Sequence, residues 1–222
     1  MPSTCSSASR SGYYFLLDRA TGESLVTVPY GPQNWSQGVD KRGQPIPRPD
    51  QDQTEDGVFF EGSTTNWWAP SFDPETGLLY VNAGHSFAIG YLTPDNDEDE
   101  VQDHQGGGST HLWGESMLLA LDYRTGKPRW TRTSGRGTGT AEGGGGNGIL
   151  TTAGRLLFTN ESGQLVALDP ATGKVLWHVN PGGNLSGCPM TYQVNGRQYV
   201  LTPVDGVLYA WALPEGAPPS SH

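Results

Sequence analysis

A five-residue turn, Asp-x-x-Thr-Gly, occurs four times: in LLDRATGESL from Leu16, SFDPETGLLYV from Ser71, ALDYRTGKPRW from Ala120 and ALDPATGKVLW from Ala167. Its glycines, Gly22, Gly77, Gly126 and Gly173, stand 55, 49 and 47 residues apart, the period of a unit that stacks on copies of itself. An apolar strand ends at the aspartate, whose carboxylate can accept backbone N–H groups across the turn, and the glycine supplies a positive φ. A second strand then leaves the turn. In two copies it ends in tryptophan, Trp130 and Trp177, a ring large enough to fill the wedge between neighbouring sheets. Both are expected to dock there.

Between the turns lie short β-rich runs, Arg155 to Thr159, Gln164 to Leu168, Gln198 to Thr202 and Val207 to Leu213, bounded by Gly, Asn, Asp or Pro. No segment has helical periodicity of useful length. About four strands per repeat predict an all-β partial β-propeller of about four blades, with an irregular sandwich as the alternative. Residues 1–222 form this one domain, interrupted by two surface insertions, 31–62 and 88–114. The first is expected to be an irregular loop. The second carries DNDEDE from Asp95 to Glu100 and a triple glycine from Gly106. Four repeats are too few to close a ring, so an open arc with uncovered terminal blades is expected, one that is unstable alone, self-associates or belongs with a missing half.

Apolar residues are 34% of the chain and glycine adds 32 residues, enough for an ordinary globular core. Thirteen Lys and Arg against 23 Asp and Glu leave a net charge of -10, a field that repels nucleic acid and anionic membranes. No apolar stretch reaches the roughly 18 residues of a transmembrane helix. The N-terminal MPSTCSSASRSG lacks the apolar run of a secretory signal, and Met1 is expected to be an internal start or boundary. Cys5 and Cys188 form neither CxxC nor CxxCH, and their pairing is left open.

The repeated ALDPATGKVLW closely resembles the tryptophan-docking motif of quinoprotein alcohol and methanol dehydrogenases. The match to the family extends from Ala8 to Pro214 and includes, in order, SRSGYYFLLDRATGE, TTNWWAPSFDPETGLLYV, GNGILTTAGRLLFTNESGQLVALDPATGKVLW and CPMTYQVNGRQYVLTPVDGVLYAWALP. The resemblance implies an eight-bladed propeller using pyrroloquinoline quinone (PQQ) and Ca²⁺, of which this chain would be the C-terminal part. It further implies oxidation of an alcohol, electron transfer to a cytochrome c or another acceptor, and a periplasmic location.

Three residues carry the implied cofactor site. Arg10, before the YYFLLDR strand, stands where the family places a basic residue reaching the quinone oxygens; a fixed guanidinium would stabilise the negative charge arriving there. Asn66, in TTNWWAP, stands where the family places an amide on the cofactor rim, offering both a donor and an acceptor. Trp67 follows it. Because neighbours on a strand point to opposite faces, only one of Trp67 and Trp68 is expected at the cavity. The plainer readings are a surface arginine, a turn asparagine bonded to its own backbone, and a packing tryptophan.

Departures from the family pattern are equally informative. Where methanol dehydrogenases have a tryptophan before GGTMATAG-like sequence, this chain reads GGGGNGILTTAG and brings Gly146 or Asn147 near the cofactor. Asp205 and Gly206 replace a glycine–tryptophan contact and read as a hairpin turn. The family's catalytic aspartate and most Ca²⁺ ligands come from earlier blades, so no catalytic or metal residue is assigned here and the chain alone is expected to be inactive. The adjacent-cysteine ring of some members is absent.

Other chemistries find no support. Asp95, Asp97 and Asp99 alternate as in a calcium loop, but Glu100 stands where an EF-hand needs glycine. His85, His104 and His111 lack metal-ligand spacing and read as isolated loop histidines. No GxSxG elbow, Walker A loop or dinucleotide fingerprint is present. The competing reading is a non-catalytic propeller of the same repeats, a protein-binding or outer-membrane assembly scaffold.

Overall fold

The computed structural model describes residues 3–92, 108–137 and 148–214. Four antiparallel sheets follow one another along the chain. The first holds β1 (Thr4–Ala8), β2 (Tyr13–Asp18) and β3 (Ser24–Pro29), and a two-stranded ribbon follows, β4 (Ser36–Val39) with β5 (Pro45–Pro47). The second holds β6 (Val58–Thr64), β7 (Ser71–Asp73), β8 (Leu78–Tyr91), β9 (Gly108–Asp122) and β10 (Pro128–Gly137). The third holds β11 (Leu150–Thr151), β12 (Leu157–Glu161), β13 (Gln164–Leu168) and β14 (Val175–Val179), and the fourth β15 (Met190–Val194), β16 (Arg197–Val204) and β17 (Val207–Trp211).

Every copy of the repeated turn has the expected chemistry. Asp18, Asp122 and Asp169 each accept two backbone N–H groups on Oδ1, and Asp73 accepts one from Glu75. The glycines have φ of +74°, +66°, +67° and +70° in chain order. Their spacing, however, is not the spacing of the sheets. The turn at Asp73 joins β7 to β8 and the turn at Asp122 joins β9 to β10, so two copies fall in the second sheet and none in the fourth. The fourth sheet turns at Asp205–Gly206 instead, with φ of +46° and +80°, the two-residue hairpin expected there.

Burial explains why the sheets stack. Along LLYVNAG in β8, Leu79, Val81 and Ala83 join Tyr14 and Leu16 of the first sheet, while Leu78 and Tyr80 join Leu157 and Leu168 of the third. A strand buried on both faces, with Asn82 as the one polar side chain in this stretch, is what a sheet sandwiched between two others requires. A third cluster, Phe158, Leu165 and Ala167 with Val200, joins the third sheet to the fourth.

Trp130 docks as expected. Its indole N–H donates to Pro170 O at 3.0 Å, and its ring lies so close to Gly173 that an added Cβ would meet Trp130 Cε3 at 2.9 Å. In the preceding sheet pair Tyr14 and Val28 cover Gly126 in the same way. Trp177 differs. It remains 42% exposed and meets Trp211 edge-on at 6.1 Å, because the fourth sheet has no Thr-Gly turn for it to rest on.

The 31–62 stretch is more ordered than an irregular loop. It contains the β4–β5 ribbon, a 3-10 turn at Pro49–Gln51 and most of β6. It also covers the outer face of the first sheet, where the Tyr13 hydroxyl bonds Ser36 Oγ and Gly43 closes over Ser24 and Thr27. The fourth sheet has no such cover among the described residues, and Met190 and Leu208 are 57% and 60% exposed. Within 88–114, β8 runs to Tyr91 and β9 starts at Gly108. The acidic run, Gly106 and His104 lie outside the described residues, as do Gly146 and Asn147.

Candidate functional site

Arg10 sits on the turn Ser9–Gly12 that joins β1 to β2. Gly12 N donates to Ser9 O at 3.2 Å, and Ser9 N donates to Tyr13 O at 2.9 Å. At Gly12 φ is +85°, and an added Cβ would lie 2.6 Å from the carbonyl oxygen of Ser63, so the position needs glycine on both counts.

Arg10 itself is exposed, yet all four carbonyls of this turn accept hydrogen bonds from elsewhere. The Tyr30 hydroxyl donates to Ser9 O at 2.8 Å and Tyr30 N to Gly12 O at 3.0 Å. The Thr64 hydroxyl donates to Arg10 O at 2.9 Å, and the Trp35 indole N–H donates to Ser11 O at 2.9 Å. Burial holds the Tyr30 hydroxyl well above the ordinary tyrosine range, which keeps it a donor. Surface loops usually satisfy such carbonyls with water, so this turn is held unusually firmly.

A cleft of about 430 Å³ opens beside it, lined by Arg10, Trp35, Phe60, Glu61, Thr64 and Ser86 among others. That volume is within the roughly 300–1,000 Å³ of small-molecule sites. Ser63, also on its wall, is 2% exposed, and its hydroxyl has no hydrogen-bond partner. A second hollow, lined by Arg132 and Glu161 among others, measures about 10 Å³, room for one water.

Asn66 follows the end of β6 and does not line the cleft. Its Oδ1 accepts from Trp67 N at 2.9 Å, the own-backbone contact of a turn asparagine, and its Nδ2 has no partner among the described residues. Thr64 and Thr65 fix the chain just ahead of it, Thr64 to Arg10 O and the Thr65 hydroxyl to Asn82 O at 2.7 Å. The fold therefore ties the Arg10 turn to the strand end leading to Asn66, through backbone and not through the two side chains.

Two expectations need correction. Trp67 and Trp68 are not on a strand, so alternation does not separate them; their rings stack with centroids 3.9 Å apart, and Trp67 is 75% exposed. His85 is not an isolated loop histidine. It lies on β8 with Nε2 at 3.0 Å from Glu61 and Nδ1 at 3.7 Å from Glu115. Cys5 and Cys188 are both free and exposed. Among the described residues no group of three or more His, Cys, Asp or Glu could hold a metal ion, and no helix is long and apolar enough to cross a membrane.

Tyr30, Trp35 and Thr64 escaped sequence reasoning. A tryptophan in the polar run PQNWSQ was the one available signal, since an indole N–H seeks a partner.

Residues 113–200 match the family model described as glucose/ethanol/alcohol dehydrogenase, beta-propeller domain. Over 212 residues the chain is 31% identical to a quinohemoprotein alcohol dehydrogenase of Comamonas testosteroni, covering 89% of this chain and 29% of that protein. The solved structure of a quinohemoprotein alcohol dehydrogenase from the same organism superposes with a TM-score of 0.72 at 26% identity, over 90% of this chain and 32% of that one. Over most of its length the chain is similar to quinoprotein alcohol dehydrogenases. A 1-butanol dehydrogenase (cytochrome c) of Thauera butanivorans is 28% identical, across 87% of this chain and 29% of its own length. The stacked sheets are thus blades of a quinoprotein β-propeller, and the chain spans under a third of the length of these relatives. The relatives' cofactor is PQQ, used with a metal ion such as Ca²⁺ or a lanthanide.

Proposed function

We propose that this chain supplies one flank of the PQQ site of an alcohol dehydrogenase. The observation that carries the proposal is the Arg10 turn, whose four carbonyls are all bonded while its guanidinium has no partner among the described residues and lines a cleft of ligand size. A flat anionic ring fits such a place, because a cation on a backbone-anchored turn can bind its oxygens and the apolar wall of Trp35 and Phe60 can cover a π surface.

When bound, PQQ supplies the two-electron acceptor for the hydride of the alcohol. Arg10 would hold positive charge beside the quinone oxygens. Asn66, whose Nδ2 has no partner among the described residues, would offer a donor from the adjoining strand end. Trp67, exposed and stacked on Trp68, offers a flat surface next to Asn66. The general base and the Ca²⁺ ligands belong to other parts of the complete enzyme, so the chain alone is inactive. A cytochrome c takes the electrons, and the setting is the periplasm.

The test is alcohol-dependent dye reduction by the complete PQQ-loaded enzyme. Arg10→Gln and Asn66→Ala are each expected to lower kcat/KM by about 100-fold, the scale of losing one preorganised donor. Full activity in both variants would contradict the reading.

A further inference from the structure

We propose that Trp35 is a positioning residue for Arg10, assisted by Thr64; the proposal rests on the cofactor-binding reading of Arg10. Trp35 comes from a segment anchored to the second sheet. Asn34 N donates to Glu61 O at 3.0 Å, Glu61 N donates to Asn34 Oδ1 at 3.0 Å, and Asn34 Nδ2 donates to Phe59 O at 2.9 Å, so Asn34 acts as a short extra strand on the edge of β6. With its backbone fixed there, Trp35 reaches across to the first sheet, and its N–H bonds the carbonyl that follows Arg10.

Thr64 of β6 bonds the carbonyl of Arg10 itself. The oxygens of two successive peptides, Arg10–Ser11 and Ser11–Gly12, are therefore held by two side chains, Thr64 of β6 and Trp35 of the segment anchored beside it. Packing alone does not account for this. Among the described residues the Trp35 ring makes one aromatic contact, edge-on to Tyr13 at 5.7 Å, and that contact needs no particular direction of the indole N–H. Ser11 O could as readily be solvated in so exposed a turn. The directed bond matters if the guanidinium must stay in place while a charged ligand enters the cleft, because pre-ordering lowers the entropy lost on binding.

The test measures PQQ dissociation constants by absorbance titration of the complete apoenzyme, with activity as a second readout. Trp35→Phe keeps a ring against Tyr13 and removes the donor. Thr64→Val removes the hydroxyl and Thr64→Ser restores it. Trp35→Phe and Thr64→Val are each expected to weaken PQQ binding about tenfold, with Thr64→Ser near wild type. In an Arg10→Gln background Trp35→Phe is expected to have little further effect, since it acts through Arg10.

Equal losses from Trp35→Phe in both backgrounds would reduce Trp35 to a structural part and overturn the proposal. So would unchanged affinity in Trp35→Phe alongside a clear loss in Arg10→Gln. Unchanged affinity in Arg10→Gln would remove the cofactor-binding reading itself, and the positioning role with it.

Discussion

Gly22 and Gly173 occupy the same place in the repeated turn at nearly the same φ, +74° and +70°, but only Gly173 has a neighbour. Alanine at either site takes the left-handed penalty of about 1–2 kcal/mol. At Gly173 the new methyl must also displace the Trp130 ring, so Gly173→Ala is expected to be the more destabilising by at least about 1 kcal/mol. Urea unfolding of both variants checks this, and equal losses would mean that the tryptophan does not dock on the turn. Arg10 and Asn66 are proposed through family resemblance alone, because an exposed arginine and a turn asparagine have no chemical signature of their own. The clamp around Arg10 was illegible for a different reason. Its bonds run to backbone carbonyls from Tyr30, Trp35 and Thr64, and backbone acceptors leave no trace in side-chain patterns.

Among the elements, the β8–turn contact shows how pH acts on the stack. Tyr80 donates its hydroxyl to Pro170 O at 2.9 Å, and burial pushes its pKa from 10.0 up to about 12. The folded chain thus holds a proton that the unfolded chain has released between those values. This stabilisation is complete below pH 10 and is lost as pH rises through about 12. Tyr14 and Tyr30 shift in the same direction, chiefly through burial. Stability measured by denaturant midpoint is expected to fall across this window, and Tyr80→Phe to make the fall shallower. An identical slope in the variant would place the titration elsewhere. The strands and turns themselves were readable, since alternation, Gly and Asp report local backbone geometry. Which sheet each turn belongs to was not. The Asp73 and Asp122 turns look alike in sequence, and only pairing through β8 and β9 shows that they share a sheet.

In the whole molecule the two ends of the stack are unlike. The first sheet is covered by the 31–52 segment, whereas the fourth exposes Met190, Tyr192, Val194 and Leu208. An apolar sheet face of this kind invites association. The chain expressed by itself is expected to sediment as an oligomer, and Met190→Thr with Leu208→Thr to shift it toward monomer. A monodisperse wild-type monomer would contradict that. A partial propeller was legible from the strand and turn pattern, but the unequal ends were not, because the covering segment reads as polar loop and its bonds form only on folding.

On the function proposed above, the Arg10 turn and the strand end at Asn66 together hold a quinone cofactor. A crystal structure of the complete protein soaked with PQQ would locate the ring. The expected result is the ring beside Trp35, with the Arg10 guanidinium and the Asn66 amide each about 3 Å from its oxygens. PQQ bound with neither residue in reach would contradict the claim.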